Sequence, residues 1–180
     1  MALLKILIFP DPRLRTKAKS VQNIDGSIKE LSDDMLETMY EGEGIGLAAT
    51  QINVHKRIIV VDITKEKNEP QVLINPVIKK IIDPEKRAYS EGCLSVPGFY
   101  EELKRPSSVE VSYKDLEGKM NTQVISGLLS VVIQHEIDHL DGKIFVDYLS
   151  DMKRSKIEKG LTKQKNNNTS PQRTENPYIK

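Results

Sequence analysis

The chain has 180 residues, of which 38% are hydrophobic and 29% charged, and its formal net charge is +1. This length fits one domain with a substantial core, and the small net charge excludes the broad positive field typical of nucleic-acid-binding proteins. No apolar run approaches the roughly 20 residues of a membrane span, and the N-terminus lacks the pattern of a signal peptide. We therefore expect a cytoplasmic protein with no direct function on nucleic acid or membranes.

The predicted elements of the first two thirds are one helix followed by strands. The pattern Ser27-Ile-Lys-Glu30 predicts a capping box that starts a helix ending near Tyr40. A glycine-rich loop, EGEGIGLAATQ, follows, and the β-branched run RIIVVDI (57–63) predicts a buried strand. The segment QVLINPVIKKIID predicts one or two strands, and SVEVSYKD (108–115) with MNTQVIS predicts a hairpin.

The last third is predicted to be helical. A helix runs from about Gly127 to Leu140, with Gly142 in the position of a C-terminal cap. A shorter charged helix follows at about 151–159. We expect residues 1–160 to form a single α+β domain, with mostly antiparallel β-sheets packed around the central buried helix and a C-terminal helix. Residues 161–180 are polar and are expected to form a flexible tail.

Two of the three histidines lie on the predicted central helix. One face of this helix carries two imidazoles and three aliphatic side chains: Leu128, Val131, Val132, His135 and His139. The helix is apolar on most of its circumference, which indicates burial, and two buried imidazoles without partners would be costly. Their four-residue spacing stacks them one turn apart, so both can bind one metal ion. Glu136, one step around the helix, can reach a water on that ion.

The third ligand of such a site is not decided by these residues alone. A catalytic metal usually has three protein ligands and an open position for water, and the longer three-histidine pattern is excluded because Phe145 occupies its last position. Glu158 is one candidate and would make the protein a zinc endopeptidase. Cys93, in the segment YSEGCLSVPG, is another. A non-enzymatic protein with a closed four-ligand site is a further alternative.

Three segments resemble the signature motifs of peptide deformylases and occur in the same order: GIGLAATQ (44–51), EGCLS (91–95) and QHEIDHLDG (134–142). The resemblance covers roughly residues 3 to 160. It implies that Cys93, His135 and His139 hold one metal ion. It also implies Fe²⁺ as the usual metal, with Zn²⁺, Ni²⁺ or Co²⁺ as the metals that a purified sample can contain instead.

The activity implied by the resemblance is hydrolysis of the N-formyl group on the N-terminal formyl-methionine of newly synthesised peptides, which releases formate. Metal-bound hydroxide would attack the formyl group, with Glu136 as general base and acid. The side chain of Gln51 and the backbone N–H of Leu94 would stabilise the oxyanion. The residues implied to bind the substrate are Ile45, Gly46, Gly92, Leu128, Val131 and Val132.

Further expectations concern residues that the motifs do not assign. Arg105 precedes a proline and is expected at the surface. Gln134 and Asp138 are expected to bond the loops or to support the metal ligands. The tail is mildly basic, which is the basis for expecting transient association with a ribosome surface; its cations are Lys163, Lys165, Arg173 and Lys180.

Overall fold

The computed structural model describes residues 2–167, which form a five-stranded sheet and three α-helices together with short 3-10 turns. The strands are β1 (Gly46–Ala48), β2 (Ile58–Val61), β3 (Gln71–Cys93), β4 (Val96–Lys114) and β5 (Met120–Ser126). The helices are α1 (Gly26–Glu41), α2 (Gly127–Leu140) and α3 (Asp151–Asn167). The strands follow chain order across the sheet, and all neighbouring pairs are antiparallel. The predicted α+β fold with a central helix and a C-terminal helix is confirmed.

Helix α1 begins slightly earlier than the sequence pattern indicates. Its N-cap is Asp25, whose carboxylate accepts hydrogen bonds from the backbone N–H groups of Ser27 and Ile28. The capping box predicted at Ser27 is therefore wrong. An aspartate satisfies the free N–H groups of the first helical turn as well as a serine does, and the Ser27 hydroxyl donates to Asp25 instead.

Strands β3 and β4 form a long hairpin that carries the EGCLS segment at its tip. β3 has 23 residues, and its pairing with β4 shifts register at several points, which bend the ribbon. β3 extends well beyond the strands predicted after residue 71, because the pairing continues through a region without a clear alternating pattern. The predicted β4–β5 hairpin is confirmed, with Ser108 opposite Ser126.

Helix α2 lies at the centre of the fold and packs against all five strands. Its aliphatic side chains join those of the sheet in one core cluster, in which Ile133 and Leu140 are fully buried. Each such side chain contributes about 1.5–3 kcal/mol through its removal from water. Asp141 is the C-cap, and Gly142 follows it with a φ of +75°, which confirms the predicted glycine at the end of this helix.

The C-terminal helix is longer than the sequence pattern indicates. α3 continues to Asn167, and its buried side chains Ile157 and Leu161 pack in a core cluster with the hairpin tip and the N-terminal segment. Most of the predicted tail, residues 168–180, lies outside the described residues. Within residues 2–167, no helix combines the length and apolar character needed to cross a membrane.

Candidate metal centre

One thiol and two imidazoles come together where the tip of the β3–β4 hairpin meets α2. The Sγ atom of Cys93 and one ring nitrogen from each of His135 and His139 lie within 4.8 Å of one another. Sγ is 3.2 Å from Nε2 of His139, and both imidazoles are buried. The fold therefore brings the thiol of the hairpin to the two imidazoles of the helix, more than 40 residues away in sequence, and these are the three donors that the motifs imply.

The hairpin turn surrounds the Cys93 thiol with hydrogen-bond donors. Cys93 ends β3 and pairs with Val96, the first residue of β4, so that only two residues form the turn. The backbone N–H of Ser95 and the side-chain amide of Gln51 each donate to Sγ at 3.4 Å. Donors in these positions stabilise the thiolate, which is the form of cysteine that binds metals.

A buried chain of ion pairs and hydrogen bonds fixes the orientation of His135. Its Nδ1 lies 2.9 Å from Oε2 of Glu91, and Arg105 donates to the two oxygens of that carboxylate at 2.6 and 3.0 Å. Arg105 also donates to Asp138 at 2.8 Å, and the hydroxyl of Tyr148 donates to the same Asp138 oxygen. Such partners set the ring orientation and the tautomer of a metal-binding histidine.

The charge on Glu91 determines which nitrogen of His135 is available to a metal. Burial raises the pKa of Glu91, but hydrogen bonds from His135 and Arg105 outweigh this effect and lower the pKa below its ordinary value. Because an ionised carboxylate can only accept hydrogen bonds, Nδ1 of His135 carries a proton, and Nε2 is the nitrogen available to a metal. Burial lowers the pKa of His135, but hydrogen bonds with Cys93 and Glu91 outweigh this effect and raise the pKa well above its ordinary value, so a metal ion would displace the proton on Nε2 when it binds. Burial also lowers the pKa of His139 well below its ordinary value, so this ring is neutral, as a metal ligand must be.

Arg105 is buried, so the expected surface position is wrong. Only 7% of its surface is exposed, and its guanidinium lies 5.2 Å from the centre of the Tyr148 ring. A buried carboxylate such as Glu91 needs a paired cation, and this requirement outweighs the general preference of arginine for the surface. Asp138 is linked to His135 through Arg105 and Glu91, whereas Gln134 donates to the backbone oxygen of Pro106.

The carboxylate of Glu136 lies beside the edge strand β1. A Cβ atom added at Gly46 would lie 2.5 Å from Oε1 of Glu136 and 2.8 Å from a methyl group of Val132, so only glycine allows this approach of strand to helix. The other oxygen, Oε2, is buried with no hydrogen-bond partner among the described residues. Burial raises the pKa of Glu136 to about 7. This carboxyl group can therefore exchange a proton near neutral pH.

The side-chain amide of Gln51 both accepts and donates hydrogen bonds next to the hairpin tip. Its oxygen accepts a hydrogen bond from the backbone N–H of Ala48 at 2.8 Å, and its nitrogen donates to the Ser95 hydroxyl at 3.1 Å as well as to Cys93. The amide nitrogen is thus oriented toward the candidate metal position. Leu94 lies in the same turn, with its side chain against Gly44, so its backbone is held next to Cys93.

The residues implied to bind substrate lie at the start of β1, at the end of β3 and on α2. Ile45 and Leu128 are the exposed members, with 41% and 44% of their surface accessible, whereas Val131 and Val132 are buried. Gly46 contacts α2, as described above. Gly92 precedes Cys93 on β3 and lies against the ring of Tyr100. The structure thus gives these positions both an open strand edge and an apolar wall.

Glu158, the alternative third ligand, lies apart from the two histidines. It is an exposed residue of α3 and is not part of the donor cluster formed by Cys93, His135 and His139. The hypothesis of a zinc endopeptidase, which requires Glu158 as the third metal ligand, therefore has no support within residues 2–167.

Sequence reasoning missed several residues that support the donors: Glu91, Ser95, Arg105 and Tyr148. The sequence does contain a signal for Glu91, namely its spacing of two residues from Cys93. Side chains two positions apart in a strand point to the same face, so the position of Cys93 next to α2 brings Glu91 to that helix as well. The contacts of Arg105 and Tyr148 depend on packing between distant segments, and no local pattern indicates them.

The donor set fits a metal ion. Thiolate and imidazole ligands suit ions such as Fe²⁺ and Zn²⁺. The unpartnered Oε2 of Glu136 adds a buried acceptor next to the donors, where a bound water or a substrate group would satisfy it. The fold and the site together define the class of protein: a metalloenzyme whose site is formed by one buried helix and the tip of a hairpin.

Comparison with known proteins gives the particular family. The polypeptide deformylase family matches residues 3–155. Peptide deformylase 1 of Pseudomonas syringae pv. tomato is 58% identical over 164 residues, covering 91% of this chain and 97% of that protein. The crystal structure of a peptide deformylase from Legionella pneumophila is 44% identical with a TM-score of 0.88, and the match covers 94% of this chain and 100% of that one. The chain belongs to the polypeptide deformylase family.

The ion-pair chain behind His135 predicts an effect on metal affinity. In Glu91→Gln the side chain keeps its size but loses the charge that holds Arg105 and the Nδ1 proton. We expect the affinity for Co²⁺ or Zn²⁺ to fall by about 10- to 100-fold, measured by competition with a chromophoric chelator. Glu101→Gln is the matched control, because Glu101 pairs with Lys153 at the surface. Equal affinities of the two variants would contradict the role given to Glu91.

Proposed function

We propose that this chain removes the N-formyl group from the N-terminal formyl-methionine of newly synthesised peptides and releases formate. Membership of the polypeptide deformylase family supports the reaction. The observation that carries the proposal for this chain is the cluster of Cys93, His135 and His139 next to the unpartnered carboxylate of Glu136. Formamide hydrolysis needs an activated water and a group that transfers protons, and this cluster can supply both.

Cys93, His135 and His139 would hold one Fe²⁺ ion, which Zn²⁺, Ni²⁺ or Co²⁺ can replace. When bound, such an ion lowers the pKa of a water molecule and polarises a carbonyl oxygen. The surrounding residues would keep the thiol and the imidazoles in the protonation states that bind a metal ion. Hydrogen bonds from Ser95 and Gln51 favour the thiolate, and Glu91 holds the proton of His135 on the nitrogen that faces away from the ion.

Glu136 would move the proton during the reaction. Its pKa of about 7 lets it accept a proton from the attacking water and donate it later to the departing amine. Its unpartnered oxygen supports this role, because no hydrogen bond within residues 2–167 has to be broken for it to reach water. A positive ion nearby would favour the ionised, proton-accepting form.

The oxyanion that forms on the formyl group needs hydrogen-bond donors. The side-chain nitrogen of Gln51 and the backbone N–H of Leu94 are the two donors that we assign to it. Both are next to Cys93, and the Gln51 amide is held in place through its oxygen by Ala48. Donors that are oriented before the reaction stabilise the developing charge without reorganisation.

The substrate peptide would lie in the cleft as an added strand. β1 is an edge strand of the sheet, so the backbone of Ile45 and Gly46 can pair with an extended peptide on its open side, with Gly92 opposite. The methionine side chain would then point toward the apolar wall of α2. The residues of that wall are Leu128, Val131 and Val132.

Three proposals concern the whole chain. Residues 1–160 would form the catalytic domain together with the buried Leu161 of α3, and the residues that follow would form an appendage that is not needed for the chemistry. Because nascent peptides are the substrate, the protein would act in the cytoplasm, where they are made. The appendage carries four cations and one carboxylate between residues 162 and 180, a balance that favours transient association with the anionic surface of a ribosome.

Formate release tests the reaction and the role of Glu136 together. The protein, prepared without oxygen and loaded with Fe²⁺, is expected to release formate from a formyl-methionyl tripeptide. Glu136→Ala should lose about 10²–10⁴-fold in kcat, since it lacks the proton-transfer group, while its metal content stays normal. The absence of formate from the folded, metal-loaded parent protein would refute the proposed function, and cleavage of internal peptide bonds would replace it.

Gln51→Glu separates the two roles of the Gln51 amide. The variant keeps an oxygen that can accept the Ala48 N–H bond but lacks the N–H that donates to the oxyanion. We expect kcat to fall by about 10²–10³-fold with a smaller change in KM. The metal content of the variant is measured in parallel, because the new carboxylate lies beside the Cys93 sulfur. Full activity of Gln51→Glu would assign this residue to loop structure alone.

Removal of residues 162–180 tests the ribosome proposal. The cut falls after Leu161, so the buried side chains of α3 remain in place. We expect the shortened protein to sediment with ribosomes less than the full chain at low salt, while both release formate from a tripeptide at the same rate. Unchanged sedimentation would exclude the appendage as the ribosome-binding segment.

A further inference from the structure

The connection between α1 and β1, residues 42–45, leads into the strand edge to which the peptide is assigned. The backbone N–H groups of Gly42 and Gly44 donate to carbonyl oxygens in the last turns of α1, and Glu43 between them has a φ of +56°. A residue with a side chain rarely adopts this conformation, which persists only where the surrounding contacts impose it. The contacts at the two ends of this connection therefore determine where its backbone lies.

One buried aspartate, Asp62, is bonded to both ends of the connection. Its backbone N–H donates to the carbonyl oxygen of Ile45 at 3.0 Å, directly beyond the pairing of Gly46 with Val61. Its carboxylate accepts a hydrogen bond at 2.7 Å from the hydroxyl of Tyr40, which lies in the last turn of α1. Only 3% of the surface of Asp62 is exposed. Asp62 thus fixes the end of α1 and the start of the strand edge relative to each other.

The carboxylate of Asp62 has hydrogen bonds on both of its oxygens. One oxygen accepts from the backbone N–H and the hydroxyl of Thr64 at 2.9 and 2.6 Å. The other accepts from the backbone N–H of Glu69 as well as from Tyr40. Burial raises the pKa of Asp62, but these hydrogen bonds outweigh this effect and lower the pKa below its ordinary value. The group is therefore ionised at neutral pH, and an amide in its place could accept through one atom only.

The exposed Lys67 adds two contacts to the same tyrosine. Its Nζ donates to the backbone oxygen of Tyr40 at 3.1 Å and lies 5.5 Å from the centre of the Tyr40 ring. A cation is favourable in this position, because the C-terminal end of a helix and the face of an aromatic ring both carry partial negative charge. The loop from Asp62 to Glu69 is thus attached to the end of α1 through the hydroxyl, the ring and the backbone of Tyr40.

We propose that Asp62 and Tyr40 are positioning residues for substrate binding, which hold the backbone of Ile45 and Gly46 where it pairs with the main chain of the peptide. This inference rests on the proposed function. In the described part of the chain, neither side chain is bonded to a metal donor or to Glu136. A contact that only keeps a binding surface in place favours the bound substrate and the transition state equally, so its loss raises KM and leaves kcat unchanged.

Tyr40→Phe tests this role, because it removes only the hydroxyl that donates to Asp62. With the Fe²⁺-loaded protein and formyl-Met-Ala-Ser, we expect KM to rise about three- to tenfold and kcat to stay within about twofold of the parent value. Formyl-methionine amide has no main chain beyond its first residue, so it should lose less than about twofold in kcat/KM. Asp62→Asn, which has one acceptor oxygen in place of two, should give the same pattern with at least the same loss.

Tyr113→Phe is the matched control. It also removes a tyrosine hydroxyl, but Tyr113 lies on β4, which β2 and β3 separate from β1. We expect this variant to match the parent in KM and kcat on both substrates. Metal content is measured for every variant, so that a change in loading is not taken for a change in binding.

Hydrogen exchange followed by mass spectrometry gives a second readout that does not depend on formate release. Because the N–H of Asp62 donates to Ile45, peptic fragments that contain Asp62 should exchange faster in Tyr40→Phe than in the parent. Fragments from α2 should keep the protection of the parent, since their hydrogen bonds lie within that helix.

The outcomes separate this inference from the function on which it rests. A rise in KM confined to the tripeptide, together with faster exchange at Asp62, would support the positioning role. Unchanged exchange, a fall in kcat at constant KM, or equal losses on both substrates would overturn that role and leave deformylation intact. The absence of formate from both substrates with the metal-loaded parent would overturn the proposed function and the inference with it.

Discussion

The fold depends on satisfying the polar side chains that α2 carries into the protein interior. His135, Glu136 and His139 are all buried on a helix that otherwise packs against the sheet, and unpartnered polar groups in such a position are costly. The hairpin brings a thiol to His139 and a carboxylate to His135, whereas Nδ1 of His139 and Oε2 of Glu136 have no hydrogen-bond partner among the described residues. The β3–β4 hairpin therefore has to be long and bent enough to reach α2, and its register shifts provide this shape.

Two buried carboxylates near His135 have opposite environments, which suit the opposite roles proposed for them. Glu91 accepts hydrogen bonds from His135 and Arg105, which lower its pKa and keep it ionised as a fixed part of the site. Glu136 has an oxygen without a partner in the described part of the chain, and burial raises its pKa to about 7. A pair of acids whose pKa values are moved apart by their surroundings is typical of catalytic sites, where one acid orients and the other exchanges protons.

The sequence predicted the elements whose signals are local. Helix α2 was found with its bounds because its apolar pattern and the following glycine are independent of the rest of the chain. The strand β1 was taken as part of a loop, because three residues give no periodicity. The length of β3 was underestimated, since its pairing with β4 continues through a region without an alternating pattern. Arg105 was wrongly predicted at the surface for a related reason. Its burial depends on Glu91 and Asp138, which only the folded chain brings near it.

The open edge of β1 connects the sheet to the proposed chemistry. An unpaired strand edge exposes backbone N–H and C=O groups to any extended chain, and this edge is short and contains a glycine that allows close contact with α2. A peptide that pairs with β1 extends the sheet by one strand, and its N-terminus can then reach the cluster of metal donors. Main-chain pairing is independent of side-chain identity, so it suits an enzyme that must process many different nascent chains. Under this proposal, selectivity among those chains would depend on the few side chains beside the cleft, such as those of the α2 wall.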